Sequence, residues 1–432
     1  MRTVRAFNNF ICLRDDGSIH YPYSQYLTSR FTNPNTLALV SLSLRIFDRF
    51  CIANEIELPA RALDGKCLTF LEIDQLARLC YRPFSEIEAL SSKKIILLTS
   101  AKAKIEPSKF LGAVQPNTAL RRLKDIGEYL NHYLEVFLEP NVRQESKVRE
   151  IRIAYAKSIA QAKNKIGGTK QNHHHQIQSL PNDKFMELIE CFVKRPNELF
   201  INESGNLCRA ILRDRAMTLL ACEGLRPGTI ANIAISDFRP ESGRLCIIDN
   251  RDKRKKQTAG TPVLKLGAST LVNSASETMI SLWPFTIRAI QEYISSERNA
   301  IQSKNLKNKS LGFLFLTNGG GPIKNRGTMT TMFKVLGNRL NKLGLLQVEN
   351  DPYFKNKARY EFYGYVLRHS AACFYLAANG TSDKTLDSMK SRFGWTISSQ
   401  MPQIYAARTL SDLSNTVMNK FTESLMSDAL IN

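Results

Sequence analysis

Leu219-Leu220-Ala221-Cys222-Glu223-Gly224-Leu225-Arg226-Pro227-Gly228-Thr229-Ile230 reads as the end of one helix and the start of the next, with Arg226 left at the turn between them. Ile235-Ser236-Asp237-Phe238 continues it in an apolar frame. Upstream, helices are expected over 182–194 and 209–223. Downstream, Arg244-Leu245-Cys246-Ile247-Ile248 and Pro262-Val263-Leu264-Lys265-Leu266 read as strands bracketing the basic run Arg251-Asp252-Lys253-Arg254-Lys255-Lys256. Phe313-Leu314-Phe315-Leu316 reads as a third strand, closed by Gly319-Gly320-Gly321, and the remainder is helical. Two further polar constellations sit in this half. One is Tyr365-Val366-Leu367-Arg368-His369-Ser370; the other runs from Phe393-Gly394-Trp395 to Ile404-Tyr405.

The N-terminal half has a different texture. Residues 1–34 read as an arm, with Asp16-Gly17 as a hairpin turn between Phe10-Ile11-Cys12-Leu13 and Ile19-His20-Tyr21. A helical block follows over 35–165, opened by Val40, Leu44, Phe47 and Cys51 on one face. Within it a helix from an N-cap at Thr118 to Pro140 carries the stripe Leu123, Ile126, Leu130, Leu134 and Phe137. Arg121, Arg122 and Lys124 fall off that stripe. Another helix from about 142 to 163 turns Ile151, Tyr155 and Ile159 inward. Ile95-Ile96-Leu97-Leu98 reads as a strand or a buried helical turn. Residues 166–180 lack apolar periodicity and read as a linker, followed by a second domain over 181–410 and a C-terminal helix over 411–432.

Composition narrows the partner. The 432 residues hold 60 Lys plus Arg against 39 Asp plus Glu, a formal charge of +21. That excess suits a polyanion, nucleic acid before an anionic membrane surface. From 141 to 170, eight basic residues face two acidic ones, as suits a connector lying along a duplex. No apolar run approaches the ~20 residues of a membrane span. Nine scattered cysteines form no CxxC pair and fit a reducing cytoplasm. His173-His174-His175 reads as solvated linker, so no metal is expected. P-loop, GxGxxG, HExxH and GxSxG motifs are absent from the sequence, which leaves nucleotide binding, zinc hydrolysis and a serine-hydrolase elbow without support.

Together, Arg226 in its Glu-Gly-Leu-Arg frame, Tyr365-x-x-Arg368-His369, and Phe393-Gly394-Trp395 with Tyr405 ten residues on resemble the tyrosine recombinase (phage integrase) family. The family's His-x-x-Arg-His motif has Tyr365 here in place of its first His. The resemblance covers roughly 180–432, and 35–165 is similar to the family's core-binding domain in order and composition. It implies a mainly α fold with a small β-sheet (α+β): a helical core-binding domain and a catalytic domain closing as a C-shaped clamp on DNA. It implies Tyr405 as nucleophile, Arg226 and Arg368 on the phosphate, Lys253 on a β-hairpin as general acid (Lys255 as second choice), and Tyr365, Trp395 and His369 as further site residues. Arg121, Arg122, Lys124, Arg251, Arg254, Lys255 and Lys256 are the expected DNA contacts.

The chemistry explains the grouping. A tyrosine oxygen conserves phosphodiester bond energy in a covalent phosphoryl-enzyme. Paired guanidiniums suit the charge that develops on the non-bridging oxygens, and a flexible lysine protonates the leaving 5′-oxygen. Such a protein needs no cofactor. Its expected partners are double-stranded recombination sites, three further copies in a tetramer on DNA (a monomer when free), and accessory DNA-bending proteins, in a prokaryotic cytoplasm. Two other readings fit the same residues less fully: a catalytically silent DNA-binding or architectural protein, and a type IB topoisomerase.

Overall fold

The computed structural model describes residues 2–6, 9–89, 113–142, 145–166, 179–200, 210–254, 260–262, 264, 279–305, 310–348, 358–396, 398–405 and 409. The chain divides into two compact units, Met1–Gln171 and Asn172–Asn432. Its described part is mainly helical, with one three-stranded antiparallel sheet and an N-terminal two-stranded ribbon.

In the first unit, β1 (Arg2–Ala6) pairs with β2 (Asn9–Leu13). The Asp16-Gly17 turn is present, with Leu13 bridged to Ile19, but Tyr21 is helical. Helix α1 (Tyr21–Arg30) starts there because Pro22 occupies its first turn, where a missing N–H costs nothing, and the His20 ring accepts the Tyr23 N–H. Cys12, Tyr23, Tyr26 and Leu27 are buried with the helical block, so the stretch read as an arm is part of that core. Helix α2 (Pro34–Ala53) is capped by the Asn33 side chain. Helix α3 (Leu58–Leu63) follows, and α4 (Phe70–Leu79) opens with a Thr69/Glu72 capping box. After α5 (Phe84–Ala89), the helix expected from Thr118 begins earlier, as α6 (Pro116–Tyr133) with Gln115 at its N-cap, and runs on through a π-turn over Leu134–Leu138. Helix α7 (Glu145–Ile166) buries Tyr155, Ile159, Ala162 and Ile166 against α4 and α6. Residues 95–98 lie outside the described residues.

In the second unit, α8 (Asn182–Lys194) spans the expected range. Helix α9 (Ile211–Cys222) is buried on every side from Asp214 onward and packs on α8, on the helix that follows Trp283 and on the helix that carries Arg368. After the short α10 (Pro227–Ile230) come β3 (Phe238–Arg239), β4 (Arg244–Cys246) and β5 (Met279–Ser281), ordered β3-β4-β5. The third strand is thus 279–281. Pro262 and Leu264 are not in a strand, and 265–266 lie outside the described residues. The apolar run Phe313–Leu316 is not a strand either: it is buried and extended, tied only by single bridges to Ala234 and Pro322. The Arg298 guanidinium caps the carbonyls of Phe313 and Leu314, both at 3.0 Å, doing a neighbouring strand's work. Helices α11 (Pro284–Tyr293), α12 (Arg326–Lys342), α13 (Gly364–Asn379) and α14 (Asp383–Phe393) complete the unit.

Candidate active site

The turn after α9 sets the site. Buried Glu223 accepts the Trp283 N–H at 2.5 Å and pairs with Arg392 at 2.7 Å, anchoring the helix end to α11 and α14. Burial raises its carboxyl above the usual range, and Arg392 partly offsets that. Gly224 then turns the chain at φ +92°, and a Cβ there would lie 2.2 Å from Phe393 Cε1. No other residue fits without moving Phe393. Arg226, extended, is the N-cap of α10, and its guanidinium reaches toward the carbonyls of Phe393 and Gly394 at 3.4–3.5 Å.

Helix α13 supplies Tyr365, Arg368 and His369, whose i, i+3, i+4 spacing puts them on one face. Gly364 brings this helix close: a Cβ there would meet Pro227 Cγ at 2.7 Å. Arg368 is 3% exposed and donates to the carbonyls of Gly224 and Phe393. Its Cζ lies 5.1 Å from the Trp395 ring centroid and 5.3 Å from that of Phe393. Helix α14 stops at Gly394, left-handed at φ +61°, and the chain turns so that Trp395 stacks on Phe393 at 5.2 Å. Tyr405 also stacks on Trp395, at 5.4 Å, and the His369 ring lies 5.3 Å from Tyr405. Tyr365, 6.4 Å from His369 between ring centroids, is exposed.

The electrostatics follow from that packing. Burial, with Arg226 adding repulsion, pushes Arg368 down to about 9. Burial also lowers Arg226. His369 is held down to about 4 by burial and the Arg368 charge, so its ring is neutral, and its buried Nδ1 has no partner among the described residues. Burial pushes the Tyr405 phenol up to about 12, although Arg368 and Arg226 favour the phenolate. Two cations forced together beside a phenol make an anion site: an incoming phosphate relieves their repulsion and their desolvation at once.

Six of the seven expected catalytic residues therefore meet: Arg226, Tyr365, Arg368, His369, Trp395 and Tyr405. Lys253 does not join them among the described contacts. It is exposed on a 3-10 turn over Arg251–Lys253, in the connection between the antiparallel strands β4 and β5. Arg254 is buried and spent on the carbonyls of Ala231 and Ile323 and on Asn232 Oδ1, with its Cζ 4.3 Å from the Phe313 centroid. It cannot reach a backbone phosphate from there. Arg251 is half-buried beside Asp249 at 2.7 Å. Lys255 and Lys256 lie outside the described residues, as do 173–175 and 411–432. Arg122 is buried too, donating to the carbonyls of Cys80 and Arg82 at the end of α4. Arg121 is half-buried, while Lys124 is exposed and 3.7 Å from Glu128. Tyr375, beyond Arg368 on α13, packs half-buried against the core, and its hydroxyl meets Ser388 at 2.9 Å. Sequence reasoning passed over Phe393, whose ring and carbonyl hold Gly224, Arg226, Arg368 and Trp395; its place in Phe393-Gly394-Trp395 was the signal. Among the described residues no cluster of His, Cys, Asp and Glu could hold a metal ion, and no helix is long and apolar enough to cross a membrane.

No family model matches the sequence, and no curated protein matches it. The solved structures it is similar to include recombinases and integrases. XerA recombinase is 16% identical with a TM-score of 0.34, over 80% of this chain and 97% of that one. Residues 82–397 of the Tn1549 transposon integrase, in complex with circular intermediate DNA, are 13% identical with a TM-score of 0.35, over 78% and 95%. A lambda integrase tetramer bound to a Holliday junction is 17% identical with a TM-score of 0.27, over 74% of each chain.

Proposed function

We propose that this chain is a tyrosine-type site-specific DNA recombinase that integrates or excises a mobile element. The observation that carries the reading is the gathering of Arg226, Arg368, His369, Trp395 and Tyr405 from four separated segments around one small volume. Tyr405 Oη gives up its proton to water, attacks the scissile phosphorus and forms a 3′-phosphotyrosyl bond as the P–O5′ bond breaks and the 5′-oxygen leaves. Arg226 and Arg368 bind the non-bridging oxygens and favour the phenolate. The Trp395 indole N–H and the Tyr365 hydroxyl are donors to the same phosphate. Lys253 supplies the proton to the leaving oxygen when its turn closes on DNA. With a folded pKa near 4, His369 positions Tyr405 as a neutral ring and does not carry the proton. The Tyr405 side chain, 2% exposed, has to leave the Trp395 stack to reach a duplex. Recombination sites in double-stranded DNA are the partner, a tetramer on two sites is the working assembly, and the cytoplasm is the setting.

The test is covalent trapping on a pool of nicked random-sequence duplexes. Wild type is expected to form an adduct on the peptide containing 401–410. Tyr405→Phe should form none while binding DNA within a few-fold of wild type, since only one oxygen is removed. Normal adduct with that variant would overturn the assignment of the nucleophile.

A further inference from the structure

The first unit holds a cavity of about 770 Å³ that the recombination chemistry does not use. Its volume lies in the range of small-molecule sites. Tyr23, Tyr129 and Tyr133 form its floor, each 1–2% exposed, and among the described residues none of their hydroxyls is hydrogen-bonded. Unlike the Tyr155 hydroxyl, which is enclosed without a partner, these three are not sealed in, so water or a ligand in the cavity can bond them. Burial keeps all three protonated, with Tyr133 pushed up to about 12.

The rest of the polar lining is mostly acceptor. Asp48, Glu55 and Glu57 bring carboxylates to the cavity, and none of the three has an ion-pair partner among the described residues. Burial raises the Asp48 carboxyl, and nearby positive charges, Arg49 and Arg14 among them, partly offset that. Glu57 is the N-cap of α3 yet makes no capping bond with its side chain. Against these stands one guanidinium, Arg14, which already donates to Ser18 Oγ and the Ile19 carbonyl, each at 3.2 Å. His20, stacked on Tyr23 at 3.8 Å, is held neutral by burial, down to about 4. In a chain of net charge +21, this pocket is locally acidic.

Glu55 adds backbone geometry to the case. It ends α2 in the left-handed region at φ +54°, with its N–H on the Ile52 carbonyl and the Ile56 N–H on that of Cys51. This is the turn at which helices ordinarily place glycine. A side chain is held there at a conformational cost, and it puts a carboxylate at the cavity.

We propose that this cavity binds a protonated amine on an apolar stem. The ammonium N–H groups would be shared among the carboxylates and phenol oxygens, and the stem would lie along Ile52, Ile56 and Pro59. A free oligoamine and a lysine side chain of another protein present the same chemistry. Calorimetric titration of the nucleic-acid-free full chain with spermidine, with an end-blocked lysine tripeptide and with glutarate distinguishes the cases. One-to-one saturable binding of spermidine alone supports the free amine, and binding of the peptide alone supports a protein lysine. Asp48→Asn and Glu55→Gly are each expected to weaken that binding at least tenfold. Glu55→Gly relieves the left-handed strain, so it should melt no lower than wild type, and its loss of binding cannot be unfolding. Saturable binding of neither amine, preference for glutarate, or amine binding that neither variant weakens would overturn the proposal.

Discussion

The two units bury different polar side chains. Among the described residues, the N-terminal unit buries six tyrosines — Tyr23, Tyr26, Tyr81, Tyr129, Tyr133 and Tyr155 — and one arginine, Arg122. The second unit buries three tyrosines, Tyr293, Tyr360 and Tyr405, and four arginines, Arg215, Arg254, Arg298 and Arg368. The difference follows from architecture. Helices pair their own carbonyls, so a helical unit can fill space with large amphipathic rings. The second unit packs helix ends and extended segments whose carbonyls lack backbone donors. A guanidinium has five N–H groups in a fixed fork and pairs several carbonyls at once. Arg215 takes those of Phe192 and Val193, as Arg298 takes those of Phe313 and Leu314. Arg368 belongs to the same pattern. The candidate active site is one of these arginine ties, placed where a second guanidinium and a phenol come close. The positive charge of the sequence is therefore partly internal scaffolding.

The largest expected effect breaks such a tie. Arg254→Ala strands the carbonyls of Ala231 and Ile323 and Asn232 Oδ1, and should cost roughly 3 kcal/mol or more, at about 1–3 per buried unpaired group. Lys253→Ala, one residue away and exposed, should change stability by less than about 0.5 kcal/mol. Both tryptophans, Trp283 and Trp395, lie in the second unit, so fluorescence-monitored urea unfolding reads that unit. Equal losses in the two variants would mean that Arg254 is a surface cation after all.

Acid tests the second unit next. His369 titrates near 4 when folded, against 6.5 ordinarily. Between those values the unfolded chain takes up a proton that the folded site refuses. The stabilisation is thus complete above pH 6.5 and drains as pH falls toward 4, by roughly 2 kcal/mol between pH 7.5 and 5. Asp214, Glu223 and Glu297, raised by burial, oppose this, because a folded acid that holds its proton gains on acidification. Comparing wild type with His369→Gln cancels them. The variant should lose about 2 kcal/mol less than wild type over that interval, by tryptophan fluorescence. Parallel losses would show that the ring is protonated in the fold. His20 gives the first unit the same liability, in a unit without tryptophan.

What the sequence disclosed follows the same divide. Periodicity placed α8 over Asn182–Lys194, because its stripe has a single buried side. The residues of the site were legible because their spacing is carried by local turns: Gly224 before Arg226, one helical turn from Tyr365 to His369, and Gly394 before Trp395. Pairing through side chains was not legible. Phe313–Leu316 has the composition of a strand, yet its carbonyls are met by an arginine on a helix fifteen residues upstream. No local pattern announces that. Tyr21 was misread for a different reason: alternation around Ile19 outweighed Pro22, a helix opener.

The smallest effect tests the basic face of α6. Arg121, Arg122 and Lys124 all fall off its apolar stripe, and the expectation was that all three meet DNA. The helix packs on more than one side, and the second contact takes Arg122 to the carbonyls at the end of α4. Lys124 remains in solvent, in an i, i+4 pair with Glu128 worth about 0.3–0.5 kcal/mol. If it neutralises a phosphate, Lys124→Ala should weaken DNA binding a few-fold and reduce the slope of log K against log salt by about 0.9. Arg122→Ala should leave that slope unchanged and instead lower the melting temperature, since two buried carbonyls lose their donor. Fluorescence anisotropy on one duplex between 50 and 200 mM salt, with a thermal melt of each variant, gives both quantities. A flattened slope with Arg122→Ala and none with Lys124→Ala would reverse the assignment, and would mean that the guanidinium leaves its carbonyls when DNA arrives.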